Sequence, residues 1–105
     1  MRTLDFIVEA QTLAQSPDCD FDDIVAGSVG YLRARFKFSS DWRGTTKIAR
    51  FYRGEKEYAV LIENGVCDIP SEVLIGATFK VRVLGTKGPY RIETNRLLIQ
   101  QEVTR

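Results

Sequence analysis

Residues 31–38 read Y-L-R-A-R-F-K-F. Leu32, Ala34, Phe36 and Phe38 alternate with Arg33, Arg35 and Lys37, the two-residue period of a strand with one face in a core and one in water. Rightward, S-S-D-W-R-G (39–44) is turn chemistry: Asp41 can bond the backbone ahead, and Gly44 permits a tight reversal. T-K-I-A-R-F-Y-R (46–53) resumes the alternation, with Ala49 and Phe51 on one face and Lys47 and Arg53 beside them. R-G-E-K-E (53–57) reads as a hairpin loop. Y-A-V-L-I-E (58–63) is apolar on both faces, which predicts a central strand or one covered on its second face. E-N-G (63–65) is a hairpin turn, V-C-D-I-P (66–70) a short return strand ended by its proline.

Further along, S-E-V-L-I-G (71–76) is the one candidate for a short helical turn, capped by Ser71 and ended by Gly76. T-F-K-V-R-V-L-G (78–85) alternates with Phe79, Val81 and Val83 inward. After the turn T-K-G-P-Y comes R-I-E-T-N-R-L-L-I-Q-Q-E-V (91–103), one strand or two short ones broken near Thr94-Asn95. Leftward of the opening stretch, Gly27 and Gly30 predict a bend, and S-P-D-C-D-F-D-D (16–23) a loop. T-L-D-F-I-V-E-A-Q-T-L (3–13) starts the chain as a strand with Leu4, Phe6 and Val8 on one face. Strands at short intervals with almost no helix predict an all-β sandwich or barrel.

The chain of 105 residues is the size of one domain (1–105), large enough for one core. No apolar run approaches the ~18 residues that cross a membrane as a helix, so no membrane insertion is expected. The first residues lack the pattern of a secretory signal, which predicts synthesis in the cytosol and two free thiols, Cys19 and Cys67. There is no histidine. That removes the usual general base and most zinc sites, so no enzyme, no metal and no cofactor is expected. Asp20, Asp22 and Asp23 space oxygens at alternate positions, but without the glycine and terminal glutamate of a calcium loop; a solvated acidic loop is the better reading.

The net charge of +1 is unevenly spread: net −5 over residues 1–30, +6 over 31–56 and zero over 57–105. Arg33, Arg35 and Lys37 form one outward row, and Lys47, Arg50 and Arg53 lie on the facing arm with Tyr31 and Tyr52 interleaved. Single-stranded nucleic acid could use such a face. The near-zero total charge argues against it, and cross-strand neutralisation by acids is the plainer expectation. Trp42, the one tryptophan, has three readings: buried anchor, stacking platform for a sugar or base, or interface residue. The defined turn around it favours the first, with the indole closing the sandwich end over Phe36 and Phe51.

Taken together, several segments resemble a module of bacteriophages and prophages of Gram-positive gut bacteria. They are F-x-F-S-S-D-W-R-G with Phe36, Phe38, Asp41, Trp42 and Gly44, then T-x-K-x-A-x-F ending at Phe51. C-D-I-P-S-E-V-L (67–74) and G-T-K-G-P-Y-R-I-E-T-N (85–95) follow. The resembled family is the N-terminal domain of baseplate upper or tail-fibre proteins. The resemblance implies an immunoglobulin-like β-sandwich of seven to eight antiparallel strands with one short helical turn. It further implies a non-enzymatic virion structural protein of tail, baseplate or head decoration, made in the host cytoplasm and carried in the particle. Its partners would be other phage virion proteins, and further copies of the chain. Partner-binding residues would be Tyr31, Arg33, Arg35, Lys37, Arg50, Tyr52 and Arg53, with the basic 33–53 face meeting the acidic 18–23 loop of a neighbouring copy. Phe36, Phe38, Asp41, Trp42, Gly44 and Phe51 would be fold signature. Two other expectations stand beside it: a carbohydrate-binding module for host cell-surface glycans with Trp42, Tyr31 or Tyr52 as platform, and an intracellular accessory protein binding a host protein or nucleic acid.

Overall fold

The computed structural model describes residues 1–103. Two sheets face each other in a β-sandwich, joined by loops and two single 3-10 turns, Ser40–Trp42 and Ser71–Val73. The strands are β1 (Arg2–Glu9), β2 (Thr12–Gln15), β3 (Leu32–Phe38), β4 (Thr46–Arg53), β5 (Lys56–Ile62), β6 (Val66–Asp68), β7 (Thr78–Lys87), β8 (Tyr90–Glu93) and β9 (Leu97–Gln100). Among the described residues the strands number nine, because the opening stretch folds back at Ala10-Gln11 and the last one breaks at Thr94–Arg96. One sheet runs β2-β1-β3-β6; the other runs β5-β4-β7-β8, with β9 also on β7.

Not every pair is antiparallel. β1 lies parallel to β3, with Leu4 beside Ala34 and Phe6 beside Phe36. The long loop between β2 and β3 permits this, since a parallel neighbour needs a connection of a dozen residues or more. Arg2 fixes that loop by donating to the carbonyls of Asp20, Asp22 and Asp23 at 3.0, 2.6 and 3.0 Å. The second turn differs from expectation in its cap: Pro70 occupies the position before it, and the Ser71 hydroxyl makes no capping bond.

The core follows the alternation. Leu4, Phe6 and Val8 of β1 and Leu32, Ala34 and Phe36 of β3 are buried against Ala49 and Phe51 of β4 and Phe79, Val81 and Val83 of β7. Phe6 stacks on Phe36 at 5.1 Å between centroids, and Phe51 meets Phe79 at 6.2 Å. Phe38 is half-buried and packs on the core from its margin.

β5 departs from its sequence pattern. It is an edge strand, paired only with β4. Tyr58 and Val60 are half-buried, and Leu61 is 49% exposed. β6 leaves β5 after the Asn64-Gly65 turn and joins β3 in the other sheet.

Candidate functional site

The single tryptophan belongs to the fold. Trp42 has no exposed surface. Its indole Nε1–H donates to the Ala10 carbonyl at 2.8 Å, tying the β3–β4 connection to the β1–β2 hairpin. Its ring lies 5.2 Å from that of Phe38. Phe36 and Phe51, the partners expected from the sequence, pair with Phe6 and Phe79 instead, deeper between the sheets. Opposite the indole stands Gly85 of β7, where a β-carbon would come within 2.8 Å of two indole carbons and 3.0 Å of the Thr45 hydroxyl. The glycine is required by close approach, not by its backbone angles. Ser39 accepts from the Ala10 amide at 2.9 Å, and Tyr90 donates to the Asp41 carbonyl at 2.8 Å. Gly44 takes a left-handed φ of 76° and completes the reversal.

An open groove of about 550 Å³ runs over this turn, walled by Ser39, Ser40, Arg43, Thr46 and Asn64. Phe38 and Ile62 supply its apolar surface, and the Lys47 ammonium sits 5.2 Å above the Phe38 ring. Trp42 contributes only from beneath. The groove therefore lacks the exposed indole that a sugar-stacking platform needs.

The basic residues divide between two outward faces. β3 and β4 lie in different sheets, so Arg33, Arg35 and Lys37 cover the outside of one sheet and Arg50 and Tyr52 the outside of the other. Most are engaged within the chain. Arg35 makes a two-pronged pair with Asp5 at 2.6 and 3.0 Å, which raises its pKa further. Arg33 Nε stands 3.4 Å from Asp68 Oδ1, an ion pair without hydrogen-bond geometry. Arg50 meets Glu57 at 3.3 Å. Such exposed pairs contribute little to stability, because water screens them. Lys37 is exposed, and Arg53 is half-buried.

Tyr52 differs from the stacking ring the sequence offered. It is 7% exposed, covered by the Arg96 guanidinium 4.4 Å from its centroid and by Arg82 at 6.0 Å. Its hydroxyl donates to Glu57 at 3.0 Å. Nearby, Glu93 is held below the usual carboxylate range chiefly by hydrogen bonding to Arg91, against the opposing effect of burial, with lesser help from the charges of Arg91, Arg82 and Arg50.

Two features were not singled out as sites. The first is an apolar end. Among the described residues, nine large apolar side chains are exposed, and six of them (Met1, Val25, Val29, Tyr31, Ile75 and Val103) gather at the end of the sandwich opposite Trp42. Backbone bonds bind the four segments that carry them: Gly27 N–H to the Leu74 carbonyl at 2.6 Å, Ala26 N–H to the Glu102 carbonyl at 2.8 Å, Arg2 N–H to the Tyr31 carbonyl at 2.8 Å. Of this group, only Tyr31 stands out in the sequence. The others sit in loops without periodicity, so no sequence pattern brings them together.

The second is the seal along one side of the sandwich. The Asn95 side chain behaves like a strand partner for β2: its carbonyl accepts from the Leu13 amide at 2.7 Å and its amide donates to the Leu13 carbonyl at 3.2 Å. Asn95 N–H reaches the Gln11 carbonyl, and Thr94 bonds Val83 through both its amide and its hydroxyl. Asn95 thus covers the β2 edge at Leu13, while Thr94 anchors the segment to β7.

Among the described residues, no cluster of three or more metal-type ligands forms. No helix is long and apolar enough to cross a membrane. The chain matches no protein-family model and no curated protein.

Proposed function

We propose that this domain is a protein–protein attachment module of a bacteriophage particle, a structural rather than catalytic component. The observation that carries the attachment reading is the apolar end. Exposed apolar residues scattered singly mean little, but six of them on segments bonded together at one end of the sandwich favour a contact surface there. Here Val29 is 78% exposed and Tyr31 48%, beside Val25, Ile75 and Val103, on loops held in place by backbone hydrogen bonds. A docking surface presented on a rigid sandwich loses little conformational entropy on binding. The phage setting rests on the resemblance of segments 36–51, 67–74 and 85–95 to tail and baseplate domains, and an immunoglobulin-like kinship of the sandwich belongs to the same reading.

Within that reading the partner is another virion protein with a complementary apolar face. The burial of Trp42 and Tyr52 favours attachment over glycan binding, since two of the three candidate platforms are withdrawn from solvent and only Tyr31 stays exposed. Mass spectrometry of purified particles tests the proposal. The chain is expected at a fixed copy number relative to the major tail or head protein. Its presence only in the soluble lysate would overturn the assignment.

A further inference from the structure

The two long sides of the sandwich are finished differently. On one side Asn95 and its neighbours seal β2. On the other, β5 is left open. The β4–β5 hairpin turns on Gly54-Glu55, so Arg53 and Lys56 form its first hydrogen-bonded pair. Bonded pairs then recur at every second residue: Phe51 with Tyr58, Ala49 with Val60, Lys47 with Ile62. The amides and carbonyls of Glu57, Ala59 and Leu61 therefore point away from β4. Glu63 confirms the direction, because its N–H and C=O both bond Val66 across the next turn at 3.0 Å. Beyond Val66 the chain leaves for the other sheet. Among the described residues, no backbone hydrogen bond is formed on that side by Glu57, Ala59 or Leu61.

This edge is weakly protected. It carries no proline and no bulge, and its two charges, Lys56 and Glu57, are confined to the end next to the turn. It is also apolar on both faces, with Tyr58 and Val60 half-buried and Leu61 half-exposed. A groove of about 340 Å³ lies beside it, lined by Val60, Leu61, Glu63, Val66, Cys67 and Asp68. A strand with a central-strand sequence at an open edge calls for one more strand.

We propose that the missing strand is β5 of a second copy, added antiparallel to form a symmetric dimer with a sheet continuous across both chains. The register selects this partner. Antiparallel pairing places outward-pointing residues opposite outward-pointing residues. Centring on Ala59 matches Glu57 with Leu61, Ala59 with itself and Leu61 with Glu57, so all three free pairs on each copy are satisfied. Shifting one way sets Glu57 against Glu63, whose backbone is already bonded to Val66. Shifting the other way sets Leu61 against Glu55, inside the turn. The centred register also opposes Tyr58 to Val60 on the inner face, extending the core, and places the small Ala59 on the two-fold axis. The same residues on both copies meet, as a two-fold interface requires. Its cost is Glu55 facing Glu63 at each rim, with Lys56 adjacent. The apolar end lies away from this edge, so the inference stands apart from the attachment reading.

The test uses the whole chain in sedimentation velocity, over a concentration series, together with amide exchange. Wild type is expected as a dimer at twice the 11.9 kDa chain mass. The amides of Glu57, Ala59 and Leu61 are expected to be protected in the dimer and to exchange rapidly on dilution. Ala59→Pro removes only an outward amide, a position where an edge strand tolerates proline. It deletes both bonds of the central pair and is expected to raise the dimer dissociation constant roughly tenfold or more, with a melting temperature matching wild type at concentrations where both are monomeric. Leu61→Lys provides a second disruption that leaves the backbone untouched, and it too is expected to give monomer. A wild type monomeric at every concentration would overturn the proposal, as would capture of a foreign strand at β5 in place of a second copy. Dimers of wild-type strength in a folded Leu61→Lys or Ala59→Pro variant would do the same.

Discussion

Gly85→Ala adds a single methyl group where a glycine is most closely approached in the molecule. Its β-carbon would lie 2.8 Å from two carbons of the Trp42 ring and 3.0 Å from the Thr45 hydroxyl. Ordinary carbon contacts lie at about 3.5–4.0 Å, so the overlap is roughly 0.7 Å or more against each ring atom. Relief by moving the backbone is opposed on both sides, because Gly85 is paired with Lys47 of β4 and with Ile92 of β8. Relief by moving the indole would break its 2.8 Å bond to Ala10. Overpacking a close-packed site costs about 1–3 kcal/mol. Stiffening the unfolded chain by Gly→Ala returns about 0.4–1 kcal/mol. The net expectation is destabilisation by about 1–2 kcal/mol, a fall in melting temperature of roughly 5–15 °C for a domain of this size. Calorimetry on the single variants and on Gly85→Ala with Trp42→Phe measures it. The smaller ring should accommodate the methyl, so the double variant should lose less than the sum of the two singles. A Gly85→Ala protein as stable as wild type, or strictly additive losses, would refute the packing of Trp42 on β7.

Trp42→Phe alone is expected to cost about 2–4 kcal/mol, through lost core volume and the orphaned Ala10 carbonyl. Before substitution, Trp42 emission should be blue-shifted and resistant to acrylamide; a red, quenchable emission would contradict its burial. Asn95→Ala should cost about 1–2 kcal/mol and speed exchange at the Leu13 amide, which hydrogen exchange reads directly. Burial, aided by the Asp68 charge, pushes the Cys67 thiol up to about 12 from an ordinary 9.0. The neutral thiol is therefore favoured in the fold. Its contribution is fully present below pH ~9 and is lost as pH rises toward 12, at up to ~1.4 kcal/mol per pH unit. Cys67→Ala should flatten that part of the stability curve relative to wild type, and in native protein a thiol reagent should modify Cys19 well before Cys67; equal rates would contradict the burial of Cys67.

The strands were legible because their cause is local. Alternation across Leu32–Phe38 and Thr78–Leu84 states which residues face a core, whatever lies opposite. Partner choice was not legible. Nothing in Leu4, Phe6 and Val8 announces a parallel neighbour 30 residues along. The burial of Trp42 was readable from its turn, whereas its dependence on Gly85 was not, because the two meet only when β7 packs across the sandwich. Tyr52 misled for the same reason: its cover, Arg96, comes from the far end of the chain. Basic residues at 33–53 look like one face in the sequence and become two because β3 and β4 enter different sheets. The apolar end has no sequence pattern at all, since loops assemble it.

The claim that attachment runs through that end is tested most directly by particle incorporation of a folded variant. Val29→Asp combined with Ile75→Asp changes two exposed side chains. The melting temperature should stay within a few degrees of wild type, as exposed substitutions usually shift stability by about 0.5 kcal/mol or less. Particles grown with each protein would be sedimented and the chain quantified in pellet and supernatant. The account predicts wild type in the pellet at fixed stoichiometry and the folded double variant in the supernatant. Equal incorporation of the two would contradict it.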